Sequence, residues 1–98
     1  MYRDFALAPD LFHWESQGAV RAASTTGQRY QRHRELGTRV LMFVRHRKRD
    51  ARGLAAPYTC LGLVDYVSHT GERPMAITWR LQVPMPASVF AAVRLTAA

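Results

Sequence analysis

One cysteine, no long apolar run and almost no lysine are the first features of this 98-residue sequence. A lone cysteine excludes a disulfide framework and a cysteine-rich zinc site. Cys60 lies inside an apolar strand-like run and reads as a small buried hydrophobe. No stretch approaches the roughly 20 apolar residues that cross a bilayer, so no membrane partner is expected. The opening Met1-Tyr2-Arg3-Asp4 lacks the apolar centre of a signal peptide, and the expected compartment is the cytoplasm. There is no Gly-rich phosphate loop ending in Lys-Ser or Lys-Thr. His13, His33, His46 and His69 show no metal-ligand spacing. Ser24 and Ser68 sit in no nucleophile motif, and no pair of acids stands out for proton transfer. The sequence therefore reads as a binding domain and not an enzyme, with neither cofactor nor metal expected.

What the chain does have is misplaced charge. The net charge is +7. Arg29, Arg32, Arg34, Arg39, Arg45, Arg47, Lys48, Arg49 and Arg52 face only Glu35 and Asp50 in that stretch, while basic and acidic residues balance elsewhere. The whole excess thus lies in one quarter of the sequence. Such a patch attracts polyanions and releases their condensed counterions on binding. Thirteen of the 14 basic residues are arginine, which suits two-pronged contacts to phosphate or guanine. A solvated face kept basic for solubility is the plainer alternative.

Hydrophobic residues make up 48% and charged residues 21%, ordinary values for a globular domain. The length has room for one domain, spanning residues 1–98, with a modest core. Three segments alternate as strands do. Val40, Met42 and Val44 share one face of the first, opposite Leu41, Phe43 and Arg45. In the second, Tyr58, Cys60, Gly62, Val64 and Tyr66 oppose Thr59, Leu61, Leu63 and Asp65. In the third, Met75, Ile77, Trp79, Leu81 and Val83 should face the core, with Ala76, Thr78, Arg80 and Gln82 outward.

The connections fit this pattern. Arg47 to Gly53 reads as a charged loop, and Pro57 introduces the second strand. His69 to Pro74 reads as a hairpin connection. Pro84 and Pro86 stop the third strand. Pro86 then opens a short helix through Arg94, with Val89, Phe90 and Val93 on one face. Another short helix is expected from Gln28 to Leu36, ended by Gly37. Residues 2–7 can add a strand, and Ser16 to Gly27 reads as a mobile loop. The economical fold is mainly β (α+β): a small twisted sheet curled into a barrel, with two short helices.

The most unusual stretch is Leu11-Phe12-His13-Trp14-Glu15-Ser16-Gln17-Gly18. Flat aromatic faces beside hydrogen-bonding groups are what a nucleobase pocket needs. Phe12 reads as a hydrophobic plug. For Trp14, Glu15 and Gln17, base contact and structural packing stand as equal readings.

Taken in order, several blocks resemble a known family. They are Phe12-His13-Trp14-Glu15-Ser16-Gln17, Gly27-Gln28-Arg29-Tyr30, Leu41-Met42-Phe43-Val44-Arg45, Pro57-Tyr58-Thr59-Cys60-Leu61-Gly62, Val67-Ser68-His69 and Pro74-Met75-Ala76-Ile77-Thr78-Trp79-Arg80-Leu81. Together they resemble the C-terminal domain of SauUSI-like, modification-dependent restriction proteins. Those proteins carry a phospholipase-D-type nuclease and a DEAD-type helicase ahead of it. The resemblance implies an SRA-like barrel of the wider PUA-like group that reads modified, 5-methylated cytosine in duplex DNA, often by flipping the base. It implies base contacts from Trp14, Glu15, Gln17, Tyr30, His13 and Tyr58. Phosphate contacts would come from Arg29, Arg32, Arg45, Arg47, Lys48, Arg49 and Arg52. The expected partners are methylated duplex DNA and nuclease or helicase modules in cis or in trans. RNA, unmodified DNA, a phosphorothioate backbone or an acidic protein are the competing ligands.

Overall fold

A computed structural model describes residues 4–16, 18–44, 52–54 and 58–94. The elements run β1 (Phe5–Ala8), β2 (Leu11–Glu15), α1 (Thr25–Arg32), β3 (Val40–Val44), β4 (Thr59–Thr70), β5 (Ala76–Leu81) and α2 (Ala87–Val93). The strands form one sheet in the order β1-β2-β5-β4-β3, and every pairing is antiparallel. β1 and β3 are its edges and are not paired with each other among the described residues. The expected sheet with two short helices is present; among these residues it is open.

The β5 segment behaves as its alternation requires. Met75, Ile77, Trp79 and Leu81 are all buried, and Arg80 points out. The alternation ends sooner than expected. Val83 is 73% exposed, because the strand stops at Leu81 and the chain turns so that Met85 takes the next core position. Two backbone bonds set that turn: Leu81 N–H donates to the Asp10 carbonyl at 2.8 Å and Met85 N–H to the Pro9 carbonyl at 2.7 Å.

β4 departs from simple alternation for a physical reason. Met42 sits opposite Gly62 and Phe43 opposite Cys60, so Leu61 is an extra residue in the ladder. This β-bulge flips the inward set. Leu61 turns into the core, and Cys60, expected to be buried, is exposed together with Tyr58. Gly62 makes the bulge possible, since its φ of +88° is costly for any residue with a Cβ. Beyond the bulge, Val64 and Tyr66 return to the core side, as expected.

The segment from Leu11 to Glu15 is a regular strand, paired with both β1 and β5. Phe12 is fully buried, the plug expected of it. Of the stretch 16–27, expected as a loop, Ser16 and residues 18–24 lie outside helix and strand, and Thr25 to Gly27 open α1. Ser16 is buried; its N–H donates to the Met75 carbonyl and its Oγ accepts from the Met75 N–H, both at 2.9 Å. The Val20 carbonyl accepts from Arg73 N–H, and Ala22 N–H donates to the Glu72 carboxylate, again at 2.9 Å. Backbone groups and the Ser16 hydroxyl therefore tie this stretch to the β4–β5 hairpin.

α1 starts earlier than Gln28 and ends before Leu36. Ser24 caps it, its Oγ accepting from Gly27 N–H at 3.0 Å, which satisfies one of the free N–H groups of the first turn. Gly27 is required sterically: a Cβ there would overlap the Arg21 carbonyl oxygen. After Arg32 the chain continues in turns to Gly37. Tyr30 on α1 and Val89, Phe90 and Val93 on α2 pack against the same buried cluster. Both helices thus cover one face of the sheet. The other face carries Leu41 and Phe43, each more than half exposed. The charged loop expected from Arg47 to Gly53 lies outside the described residues except at its end, as does Pro57.

Candidate nucleic-acid interface

Trp79 is the centre of an aromatic cluster. It is 1% exposed and is surrounded by Trp14 at 6.5 Å, Tyr30 and Tyr66 at 6.2 Å and His33 at 5.8 Å between ring centroids. Trp14 and Tyr30, both expected to stack on a base, are brought together at 5.3 Å with their planes at 81°. These edge-to-face pairs are favourable packing arrangements. The Trp79 indole N–H is buried without a hydrogen-bond partner among the described residues.

The remaining expected base contacts lie elsewhere. Successive side chains of a strand point to opposite faces, so His13 and Glu15 project away from Trp14. His13 stacks on Phe5 at 4.7 Å with planes 21° apart. Glu15 N–H donates to Asp4 Oδ1 at 3.0 Å. Partial burial pushes the Asp4 carboxyl above its usual range, and the neighbouring Glu15 charge adds to that shift. Tyr58 is 61% exposed just before β4, two strands away from β2 in the sheet. Gln17 is outside the described residues. The five described residues therefore do not line one pocket; strand alternation and sheet order separate them.

His33 is the residue that sequence reasoning missed. It is 2% exposed, and its Nε2 accepts from the Tyr66 backbone N–H at 3.1 Å. That bond requires a lone pair on Nε2, so the neutral ring carries its proton on Nδ1 and donates to the Thr38 carbonyl at 3.3 Å. The imidazole thereby fastens the chain after α1 to the middle of β4. Its position three residues after Tyr30, on the same helical face, was the available signal. Beyond it, Tyr66 Oη and His69 Nδ1 share a hydrogen bond at 2.7 Å, and burial pushes the Tyr66 phenol above its ordinary range.

The segment His33 holds in place forms one wall of a cleft of about 410 Å³. Arg34, Thr38 and Arg39 stand on that side, with Leu63, Asp65 and Gln82 across from them. The size falls within the range of small-ligand sites, roughly 300–1,000 Å³. Arg34 Nη2 donates to the Tyr66 carbonyl at 3.4 Å, and Gln82 Nε2 donates to Asp65 Oδ2 at 3.4 Å. Of the expected phosphate contacts, Arg29 and Arg32 are exposed on α1, and Arg32 pairs with Glu35 at 3.0 Å. Arg52 is exposed too. Arg45, Arg47, Lys48 and Arg49 are outside the described residues. No cluster of metal-ligating side chains occurs among the described residues, and no helix there is long and apolar enough to cross a membrane.

A family model described as a domain of unknown function, DUF3427, matches residues 1–93. The chain belongs to the DUF3427 family. The match takes in all five strands and both helices, so the aromatic cluster and the cleft are parts of the DUF3427 domain itself. No curated protein and no solved structure matches the chain.

Proposed function

We propose that this DUF3427 domain is a DNA-binding specificity module that recognises modified, 5-methylated cytosine in duplex DNA. It acts without catalysis of its own, as part of or partner to a restriction system whose nuclease and helicase modules lie in cis or in trans. The observation that carries the reading is the setting of the cleft. Arg34 and Arg39 border it, and the exposed Arg29 and Arg32 of α1 lie in the same basic segment that holds the entire net charge. A duplex held by Arg34 and Arg39 would pass a hollow with the volume of a small-ligand site, where an extruded nucleotide could be received. Extrusion costs a few kcal/mol, which stacking and edge contacts in a pocket offset. Closure of the open sheet into an SRA-like barrel is part of this proposal.

The test is fluorescence polarisation with matched methylated and unmethylated duplexes in several sequence contexts. Tighter binding to the methylated member supports the reading, whereas equal affinity in every context removes the modification specificity. A protein-docking role has its own support in the exposed Leu41 and Phe43 of β3. Absence of any DNA binding at moderate salt would favour that role.

A further inference from the structure

We infer that the cleft between the 33–39 segment and β4 binds a single nucleotide, with Asp65 and Gln82 reading the base edge and Arg39 and Arg34 holding its phosphate. The inference rests on the DNA-binding reading and assigns it a pocket away from the β2 aromatics. The argument begins with Asp65. Asp65 lines the cleft, and among the described residues its carboxylate meets only the long 3.4 Å contact from Gln82. Arg80, opposite Asp65 in the ladder, is turned to Asp10 at 3.0 Å and leaves Asp65 uncompensated on that side. An ionised carboxylate only accepts hydrogen bonds and has room for about four.

Gln82 supplies the complementary group. Its backbone N–H donates to the Leu63 carbonyl at 3.0 Å, which fixes the residue beside β4, and its side-chain amide can donate as well as accept. An acceptor next to a donor suits a base edge on which an amino group adjoins a ring-nitrogen acceptor. Cytosine is the pyrimidine of that kind; thymine presents a carbonyl where the amino group would be and meets the carboxylate with repulsion. Leu63, Val64 and Val40 give the hollow an apolar lining against which a ring can lie. Arg34 is braced on the Tyr66 carbonyl, and Arg39 has no acidic partner among the described residues. Two guanidinium groups at the rim of a hollow of this size suit the charge and dimensions of a nucleoside monophosphate.

The experiment is an NMR titration of the ¹⁵N-labelled chain with dCMP, dTMP and inorganic phosphate. dCMP should shift the amides of Gly37 to Val40 and Leu63 to Asp65, with an affinity about tenfold above that of dTMP, the scale of one good edge contact. Asp65→Asn should abolish that preference, and Arg39→Ala should weaken both nucleotides alike. Either variant must keep the wild-type amide dispersion; Gln82→Ala replaces Asp65→Asn if that variant unfolds. Absence of shifts at the cleft with dCMP would overturn the inference, as would equal shifts from dTMP or from phosphate alone. Because duplex binding is measured separately, a cleft silent to dCMP beside a retained preference for the methylated duplex would remove this inference alone, and loss of duplex binding would remove both.

Discussion

The backbone N–H of Tyr66 ends on Nε2 of His33, 33 positions earlier in the chain. One imidazole thus occupies the donor of a long central strand and positions the wall of the cleft. This bond is unusual in kind, since most strand N–H groups pair with another strand. Here β3 begins only at Val40, opposite Val64, and the next part of β4 has lost its neighbour on that side. His33 fills the gap.

Replacing His33 by alanine should therefore cost more than an average substitution. A buried N–H left without an acceptor costs about 1–3 kcal/mol, and the void beside Trp79 adds to that. Urea unfolding followed by tryptophan fluorescence should give a loss of about 2–4 kcal/mol. A loss below about 0.5 kcal/mol would mean that water or Thr38 takes over the bond.

Trp14 tests packing against recognition. It packs against Tyr30 and Trp79, so Trp14→Ala should destabilise the domain by about 2–4 kcal/mol. Trp14→Phe should keep the fold. If Trp14→Phe retains full stability yet loses methyl discrimination in polarisation assays, Trp14 contacts the base. If discrimination survives, its role is to hold Tyr30 and Trp79 in place.

Arginines on α1 should act without regard to sequence. Arg29→Ala is expected to weaken binding to methylated and plain duplexes by similar factors. It should also reduce the slope of log K against log salt by about one unit. Arg32 is held by Glu35 in the free domain, and its replacement should change the slope less. A methylation-dependent effect of Arg29→Ala would place that residue at the base instead.

Asp4 predicts a pH effect of defined sign. Burial raises its folded-state pKa above the unfolded value of 3.8, so the native state holds the proton more tightly. Between those two values stability falls as pH rises, and at neutral pH the ionised carboxylate is a net cost. Asp4→Asn keeps an acceptor for the Glu15 N–H and removes that cost. Thermal melts should show the variant more stable than wild type at pH 7, with the difference shrinking below pH 4. The residue as a whole is exposed, so the gain should be small. A pH-independent difference would assign it to packing.

Gly27→Ala addresses the start of α1. The added methyl meets the Arg21 carbonyl, which is backbone and cannot swing away. Overpacking of this kind costs roughly 1–3 kcal/mol. Circular dichroism should show the loss at lower denaturant, and Gly18→Ala, where a Cβ meets nothing nearby, should be almost silent.

Much of this was legible in the residues. The β5 alternation, the prolines after it, the apolar face of α2 and the clustering of arginine all appear directly, because each is a local pattern with its own period or composition. Leu11 to Glu15 also alternates, but its turn-flanked aromatics fit a base pocket as well as they fit a strand. Reading it as a strand would have put Trp14 and Glu15 on opposite faces at once. The start of α1 was hidden by Ser24, whose capping role depends on where Gly27 can pack.

What the chain alone determined is therefore the material: where the positive charge lies, which strand faces inward and which residues can turn. Only the tertiary structure decided the face on which Cys60 and Leu61 emerge, since a bulge is a relation between two strands and is absent from either one. It likewise decided that His33 is interior and that Asp65, Gln82 and Arg39 border one hollow. Those residues lie far apart in sequence, and their meeting depends on sheet register and on one long-range hydrogen bond, quantities that no local periodicity encodes.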